Sequence, residues 1–387
     1  MSPLNLVVAC TFGLESLVAE ELRELGYDDL RVENGRVCFS GDMRDIATCN
    51  LWLRTADRIG IIMGEFEART FDDLFDGTAA IAWEELMPRD AFMHVNGRSQ
   101  KSQLTSVPAC QSIVKKAVVS AMQRRYPNQT LPETGAHYRI EISLLKDKAT
   151  LTLDTTGPSL HKRGYREEAG EAPLKETMAA ALVMLSRWDA SRVLADPCCG
   201  SGTILIEAAT LACNMAPGRK RKFSAEGWEW IPREIWSTAR AQARQQVQPQ
   251  EFRLLGSDID ARVLAKAREN AVNAGVEDLI SFQVLPADQF RSRKRYGCLI
   301  TNPPYGERLG ELEAAETLYH ELGMVYRELP DWSAYILSPH RELEKLMDRR
   351  ADKKRKLFNG RIECHYNMFF GPRPPREPRP EGEAADS

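Results

Sequence analysis

Four consecutive residues, Asn302-Pro303-Pro304-Tyr305, directly follow a short apolar run that reads as a strand, Gly297–Thr301. An amine conjugated to an aromatic ring is a poor nucleophile, because its lone pair is delocalised into the ring. Two acceptors, the Asn302 side-chain oxygen and the Pro303 carbonyl, can take both N–H bonds of such an amine and turn its lone pair toward an electrophile. The two prolines stiffen the loop, and Tyr305 offers a face on which a flat ring can stack. No general base is needed, since the amine can lose its proton after transfer. Taken alone, the motif could be ordinary turn chemistry. A second motif about a hundred residues upstream argues against that.

That second motif is Asp196-Pro197-Cys198-Cys199-Gly200-Ser201-Gly202-Thr203. A strand ends in an acidic residue, a glycine-bearing turn follows, and a helix begins. Gly200 and Gly202 would let backbone approach a ligand at the carboxyl edge of a parallel sheet. The dinucleotide fingerprint is excluded, because Leu205 stands where its third glycine belongs. Downstream, Asp258 ends the next strand and is followed by Ile259. A carboxylate there can accept both ribose hydroxyls of a nucleoside ligand, whereas Asp260 is the better candidate for a helix cap. Asp288, after the third strand, could accept from an adenine amino group. Together these positions describe a site for a nucleoside-bearing donor facing a base-binding loop.

The elements that must hold these loops show a change of grammar along the chain. Strand 4–9, helix 14–25, strands 30–32 and 36–39 around Asn34-Gly35, helix 42–53 and strand 58–67 give a β-α-β-β-α-β order, a ferredoxin-like module over residues 1–67. A second α+β unit follows over 68–155, with helix 71–83, an extended 91–96, helix 107–126 and a hairpin around Lys146-Asp147. Residues 156–173 form a basic connector. From residue 174 to 371 strands and helices alternate, which predicts an α/β domain with a parallel sheet. The segment 214–250 interrupts that rhythm with Trp228, Trp230 and Trp236. It reads either as a peripheral insertion anchored to the core by its tryptophans or as an aromatic element facing nucleic acid. The last 16 residues read as a disordered tail.

Composition narrows the function classes. Of 387 residues 43% are hydrophobic and 28% charged, ordinary for a globular chain of more than one domain. No run of 18 apolar residues suggests a membrane span, and the first residues lack the pattern of a signal peptide. Nine scattered cysteines without a C-x-x-C pair argue against a metal site and fit a reducing cytoplasm. Net charge is −3, but residues 1–90 hold 18 acidic and 8 basic side chains, a balance of −10, so the remainder stands at +7. Basic clusters at Lys162, Arg163 and Arg166, at 219–222, at 291–295 and at 349–356 would suit phosphate contacts.

On these motifs the chain resembles the amino-methylating class I methyltransferases. More narrowly it is similar to the THUMP-domain RNA guanine-N2 methyltransferases, in particular to the N-terminal half of the bifunctional bacterial enzymes that methylate large-subunit (23S) ribosomal RNA. The likeness runs over residues 4–371 and includes Leu160–Arg166, Ala172–Thr177 and Thr301–Leu309. It implies a Rossmann-like methyltransferase domain preceded by ferredoxin-like and THUMP modules that grip structured RNA, with S-adenosyl-L-methionine as the donor. Carried over residue by residue, it implies a donor site at Pro173, Thr177, Asp196, Cys198, Gly200, Ser201, Gly202, Thr203, Asp258, Ile259, Asp288 and Asn302. It implies a base site at Asn302, Pro303 and Tyr305, with Lys162, Arg163 and Arg166 toward RNA. No metal and no protein partner is implied. Cys198 departs from the methionine common at its position, and the sequence ends where the bifunctional enzymes continue. A transfer-RNA guanine-N2 enzyme, a DNA adenine-N6 enzyme that flips its base and a non-catalytic RNA-binding assembly protein remain open at this stage.

Overall fold

The computed structural model describes residues 3–166, 174–306 and 311–375. Pro173, Glu307–Leu309 and most of the expected tail lie outside the described residues.

The chain opens with β1 (Leu4–Cys10), α1 (Glu15–Glu24), β2 (Arg31–Glu33), β3 (Arg36–Gly41), α2 (Met43–Trp52) and β4 (Ala56–Glu67), the order expected. Asp42 accepts from the N–H groups of Arg44 and Asp45, while the Asp45 side chain accepts from the Asp42 N–H. This reciprocal cap fixes the start of α2. Then come α3 (Phe71–Ala79), α4 (Trp83–Leu86), β5 (Phe92–Gln100), α5 (Val107–Met122), β6 (His137–Leu145) and β7 (Lys148–Asp154). The single helix expected over 71–83 is in fact two. The buried Trp83 indole donates to the Thr78 carbonyl at 2.9 Å, an acceptor that a continuing helix would have used. Lys146 and Asp147 both sit at positive φ, 52° and 62°, which matches the tight β6–β7 turn to the strand twist.

These strands form one sheet in the order β2-β3-β1-β4-β7-β6-β5. The twelve-residue β4 pairs with β1 along one edge and with β7 along the other, so the two α+β modules share a single sheet.

The second half contains α6 (Glu176–Leu185), β8 (Leu194–Asp196), α7 (Thr203–Ala212), α8 (Arg233–Gln245), β9 (Leu254–Asp258), α9 (Ala261–Ala274), β10 (Ile280–Val284), β11 (Cys298–Thr301), α10 (Glu311–Arg327), β12 (Ser333–Ser338), α11 (Leu343–Leu346), β13 (Lys353–Asn359) and β14 (Ile362–Phe369). Its sheet runs β10-β9-β8-β11-β12-β14-β13, with the first five strands parallel and β14 antiparallel to β12. Strands β8, β11 and β12 are buried throughout, as strands covered on both faces must be. Strand order reverses between β8 and β11. That switch point is where open α/β sheets leave a crevice beyond the strand ends.

The chain divides into two compact units: one takes the chain through Ala181 with Thr210–Pro249 and Leu357–Gly360, and the other takes Leu182–Ala209, Gln250–Lys356 and the residues from Arg361 on. The insertion 214–250 therefore belongs with the α+β unit. Trp228 stacks on Tyr138 of β6 with centroids 4.9 Å apart, and its indole donates to the His137 carbonyl. Trp236 stacks on Phe223 at 5.4 Å. Trp228 and Trp236 are 1% and 4% exposed, so they anchor the insertion and present no face to nucleic acid.

Candidate active site

The glycine loop leaves β8 under close restraint. Asp196 is buried and accepts from the Thr301 hydroxyl at 2.7 Å and from the Cys198 N–H at 3.1 Å. Burial pushes its carboxyl up to about 7, although both hydrogen bonds favour the ionised form. Asp196 thus ties the loop to β11, the strand that carries the second motif. Cys199 donates from its backbone to the Ser257 carbonyl, and Gly202 to the Cys199 carbonyl. Gly200 and Gly202 have φ of +52° and +80°, a region that side chains rarely adopt. A Cβ on Gly202 would come within 3.1 Å of the Phe282 ring, whereas one on Gly200 would meet nothing nearer than Val263 at 4.0 Å. Gly202 serves packing; Gly200 faces open space.

Asp258 closes the same edge. One carboxylate oxygen accepts from the Gly200 N–H and the other from the Asp260 N–H, both at 3.0 Å. Each oxygen keeps a second lone pair, so two further donors can be accepted together. Asp260 caps α9 by accepting from the Arg262 N–H, and Gly275 ends that helix in the left-handed region. Ile259 is 73% exposed, an apolar side chain standing free beside the carboxylate. Asp288 lies half-buried in a short 3-10 turn after β10. The buried Thr203 hydroxyl lies 3.3 Å from that of Ser201. Burial pushes the Cys198 and Cys199 thiols upward, so both are protonated packing groups. Thr177 is buried in the first turn of α6, in the part of that helix through Ala181 that groups with the α+β unit. An open glycine face, a carboxylate with spare acceptors and an exposed apolar side chain together fit a nucleoside-bearing donor.

Across the switch point, β11 delivers Asn302. Its side-chain oxygen accepts from the Tyr305 hydroxyl at 2.6 Å. That tether fixes the amide and leaves a lone pair for an incoming amine. The sequence assigned Tyr305 only a stacking face, and the structure adds a positioning hydroxyl. A further chain of hydrogen bonds, absent from the sequence reading, supports the loop. The His340 N–H donates to Ser338 Oγ, Ser338 donates to the Tyr319 hydroxyl, and Tyr319 donates to the Pro304 carbonyl, each at 3.0 Å. Every hydroxyl in it both accepts and donates, so the links reinforce one another. Tyr319 projects from the buried face of α10 and Ser338 from the end of β12.

The basic connector departs from expectation. Lys162 is exposed. Arg163 is only 4% exposed, and its guanidinium donates to the carbonyls of Leu160 and Arg54. Arg166 pairs with the buried Glu176 at 3.4 Å. Arg163 is therefore a structural strut, because a guanidinium spent on buried carbonyls cannot leave for a phosphate without unpairing them. Among the described residues, no group of three His, Cys, Asp or Glu side chains is arranged to hold a metal, and no helix is long and apolar enough to cross a membrane.

Comparison with known proteins decides the family. Residues 163–368 match the RMKL-like methyltransferase domain, after matches to the RlmL ferredoxin-like domain over 5–60 and to the THUMP domain over 68–154. The chain belongs to the RMKL-like methyltransferase family. YpsC of Bacillus subtilis (strain 168), which carries the name of an RNA methyltransferase, is 46% identical over 98% of this chain and 100% of its own length. Ribosomal RNA large subunit methyltransferase K/L of Aliivibrio fischeri (strain MJ11) is 41% identical over 91% of this chain. This chain covers 51% of that relative, about half its length. A Listeria monocytogenes protein described as a predicted N6-adenine-specific DNA methylase is 48% identical, with a TM-score of 0.92 over 96% of this chain and 97% of that one. SMU.472, which carries the description of a methyltransferase and was crystallised with SAH, is 44% identical, with a TM-score of 0.92 over 97% of this chain and 100% of that one. In this RMKL-like chain the ferredoxin-like, THUMP and Rossmann-like methyltransferase domains follow one another in the expected order.

Proposed function

We propose that this protein transfers a methyl group from S-adenosyl-L-methionine to the exocyclic N2 amine of a guanine in large-subunit (23S) ribosomal RNA. The observation that carries the reading is the junction of two loops at one switch point: Asp196 of the glycine loop bonded to Thr301, and Asn302 next along the chain, fixed by Tyr305. The co-crystallised SAH of SMU.472, a relative covered along its whole length, supports the choice of donor. The names of YpsC and of the K/L enzymes support RNA, as does the front unit with its THUMP match. When bound, the donor supplies an electrophilic methyl group on a sulfonium.

In this reading Gly200 and Ser201 form the floor of the donor site with Gly202 packed behind them, Asp258 accepts the ribose hydroxyls, and Ile259 and Asp288 flank the adenine; the family resemblance assigns Thr177 and Pro173 to the donor as well. Asp196, Cys198 and Thr203 shape the loop from within. Asn302 and the Pro303 carbonyl accept the two N–H bonds of the amine, and Tyr305 stacks on the base while holding Asn302. Held by these two acceptors, the amine would present its lone pair to the donor's methyl group and would give up its surplus proton to water after transfer. Lys162 contacts RNA. The modules divide at residues 67, 155 and 173, and the enzyme works in the cytoplasm. The test is methylation of large-subunit ribosomal RNA lacking the mark, followed by nucleoside mass spectrometry. N2-methylguanosine is expected. A methyl on adenine N6, in RNA or DNA, would overturn the choice of base.

A further inference from the structure

Tyr319, whose hydroxyl donates to the Pro304 carbonyl, has a second neighbour beyond Ser338, the imidazole of His340. The two rings meet edge to face, with centroids 5.7 Å apart and planes at 64°. Both imidazole nitrogens are engaged. The Glu342 N–H, which can only donate, lies 3.3 Å from Nδ1, so Nδ1 accepts and the ring hydrogen sits on Nε2. Nε2 in turn lies 3.2 Å from a carboxylate oxygen of Glu316. The histidine side chain is 13% exposed and that of the glutamate 41%. A ring held at both nitrogens cannot turn without breaking a bond, so its packing against Tyr319 is fixed. Glu316 comes from α10, four residues after Leu312 and three before Tyr319, so the three share one face of the helix. That face borders the Asn302 loop at two points. Tyr319 reaches Pro304, and a Cβ on Gly306 would stand 2.7 Å from the Leu312 Cα. Glu316 lies between those contacts. The backbone link from residue 340 to Ser338 needs no particular side chain, whereas the bridge from Glu316 to Tyr319 needs an imidazole.

We propose that Glu316 and His340 are positioning residues for methyl transfer: the pair holds the Tyr319 ring, and through its hydroxyl the Pro304 carbonyl and the loop that receives the target amine. The proposal deepens the methyl-transfer reading given above and rests on it for its rate measurements. In this role neither side chain touches the donor or the reacting atoms. Loss of either lets Tyr319 tilt, which broadens the geometries of the Asn302 loop and lowers the fraction aligned for transfer.

The experiment compares single-turnover methyl transfer to an unmodified large-subunit ribosomal RNA transcript by the full chain and by His340→Ala, Glu316→Ala and Glu316→Gln, with calorimetric donor binding on each. The two alanine variants should each slow transfer by roughly threefold to tenfold, the effect of one hydrogen bond, with donor affinity unchanged. Glu316→Gln keeps an oxygen for the imidazole N–H and should restore most of the rate lost in Glu316→Ala. In a Tyr319→Phe background, which already lacks the hydroxyl, His340→Ala should slow transfer further by less than about twofold, because both changes act on one path. Factors that multiply instead would overturn the route through Tyr319, and wild-type rates in both alanine variants would overturn the proposal. Should His340→Ala fail to fold, the partly exposed Glu316→Ala carries the same comparisons. A crystal structure of the folded variant gives a readout that needs no substrate. The Tyr319 hydroxyl should have left the Pro304 carbonyl, and a contact kept at 3.0 Å overturns the proposal. If that contact is lost while the wild-type chain methylates no ribosomal RNA, only the reading of the substrate fails.

Discussion

The two loops that meet at the β8–β11 switch point are held in different ways. The glycine loop is fixed through its own backbone: Gly200 and Cys198 donate N–H groups to carboxylates, and Cys199 donates to a neighbouring strand. The Asn302 loop is fixed by hydroxyls, from Tyr305 on the amide and from Tyr319 on the Pro304 carbonyl. A loop built from backbone tolerates no added Cβ where a ligand must approach. A loop held by hydroxyls should respond to the loss of single oxygen atoms. Donor binding and amine orientation are then separable, and substitutions on one side should leave the other intact.

The largest effect is expected on the donor side. Gly200→Val should abolish donor binding measured by calorimetry, with a modest loss of Tm from strain at φ +52°, because space around its Cβ is open. Gly202→Val should cost more Tm, since its Cβ would press on Phe282. If Gly200→Val bound the donor normally, the loop would not be the donor floor. On the hydroxyl side, Tyr305→Phe should slow single-turnover transfer by roughly threefold to tenfold, the value of one hydrogen bond of about 0.5–1.5 kcal/mol. Tyr305→Ala should lose base stacking in addition, about 1–3 kcal/mol. Tyr319→Phe should resemble Tyr305→Phe in rate, with donor affinity unchanged in both. A fall in donor affinity that matched the fall in rate would erase the separation between the loops.

A smaller effect depends on pH. Because burial raises Asp196 to about 7, the protonated form is the one the fold favours. Its contribution to stability is complete below the ordinary carboxylate range and is lost as pH rises through about 7. Asp196→Asn, which cannot ionise, should therefore gain stability relative to wild type between pH 5 and pH 8. Thermal melts of the two proteins in parallel across that range check the sign, and a difference independent of pH would contradict the assigned burial effect.

Both chemical motifs were legible in the sequence because each lies on a short strand-to-loop segment, and strand order alone brings the segments together. The β2–β3 hairpin at Asn34-Gly35 and the start of α9 at its Asp260 cap were equally local. What escaped was set by distant partners. Arg163 reads as one more cation until its guanidinium is seen on the Arg54 carbonyl, 109 residues away in sequence. For the insertion tryptophans the sequence offers both a core anchor and a nucleic-acid face, and the stacking of Trp228 on Tyr138 decides for the anchor. Tyr319 and Ser338 gave no signal, since a tyrosine on the buried face of a helix reads as packing. The break between α3 and α4 follows from the Trp83 indole, which periodicity does not register.

The central claim is that Asn302 orients the target amine without holding the donor. Single-turnover methyl transfer by Asn302→Ala, with donor binding measured on the same preparation, tests it most directly. The rate is expected to fall by about 10²-fold or more, as lost orientation often costs, with donor affinity within about twofold of wild type, under 0.5 kcal/mol. Transfer at the wild-type rate would contradict the account.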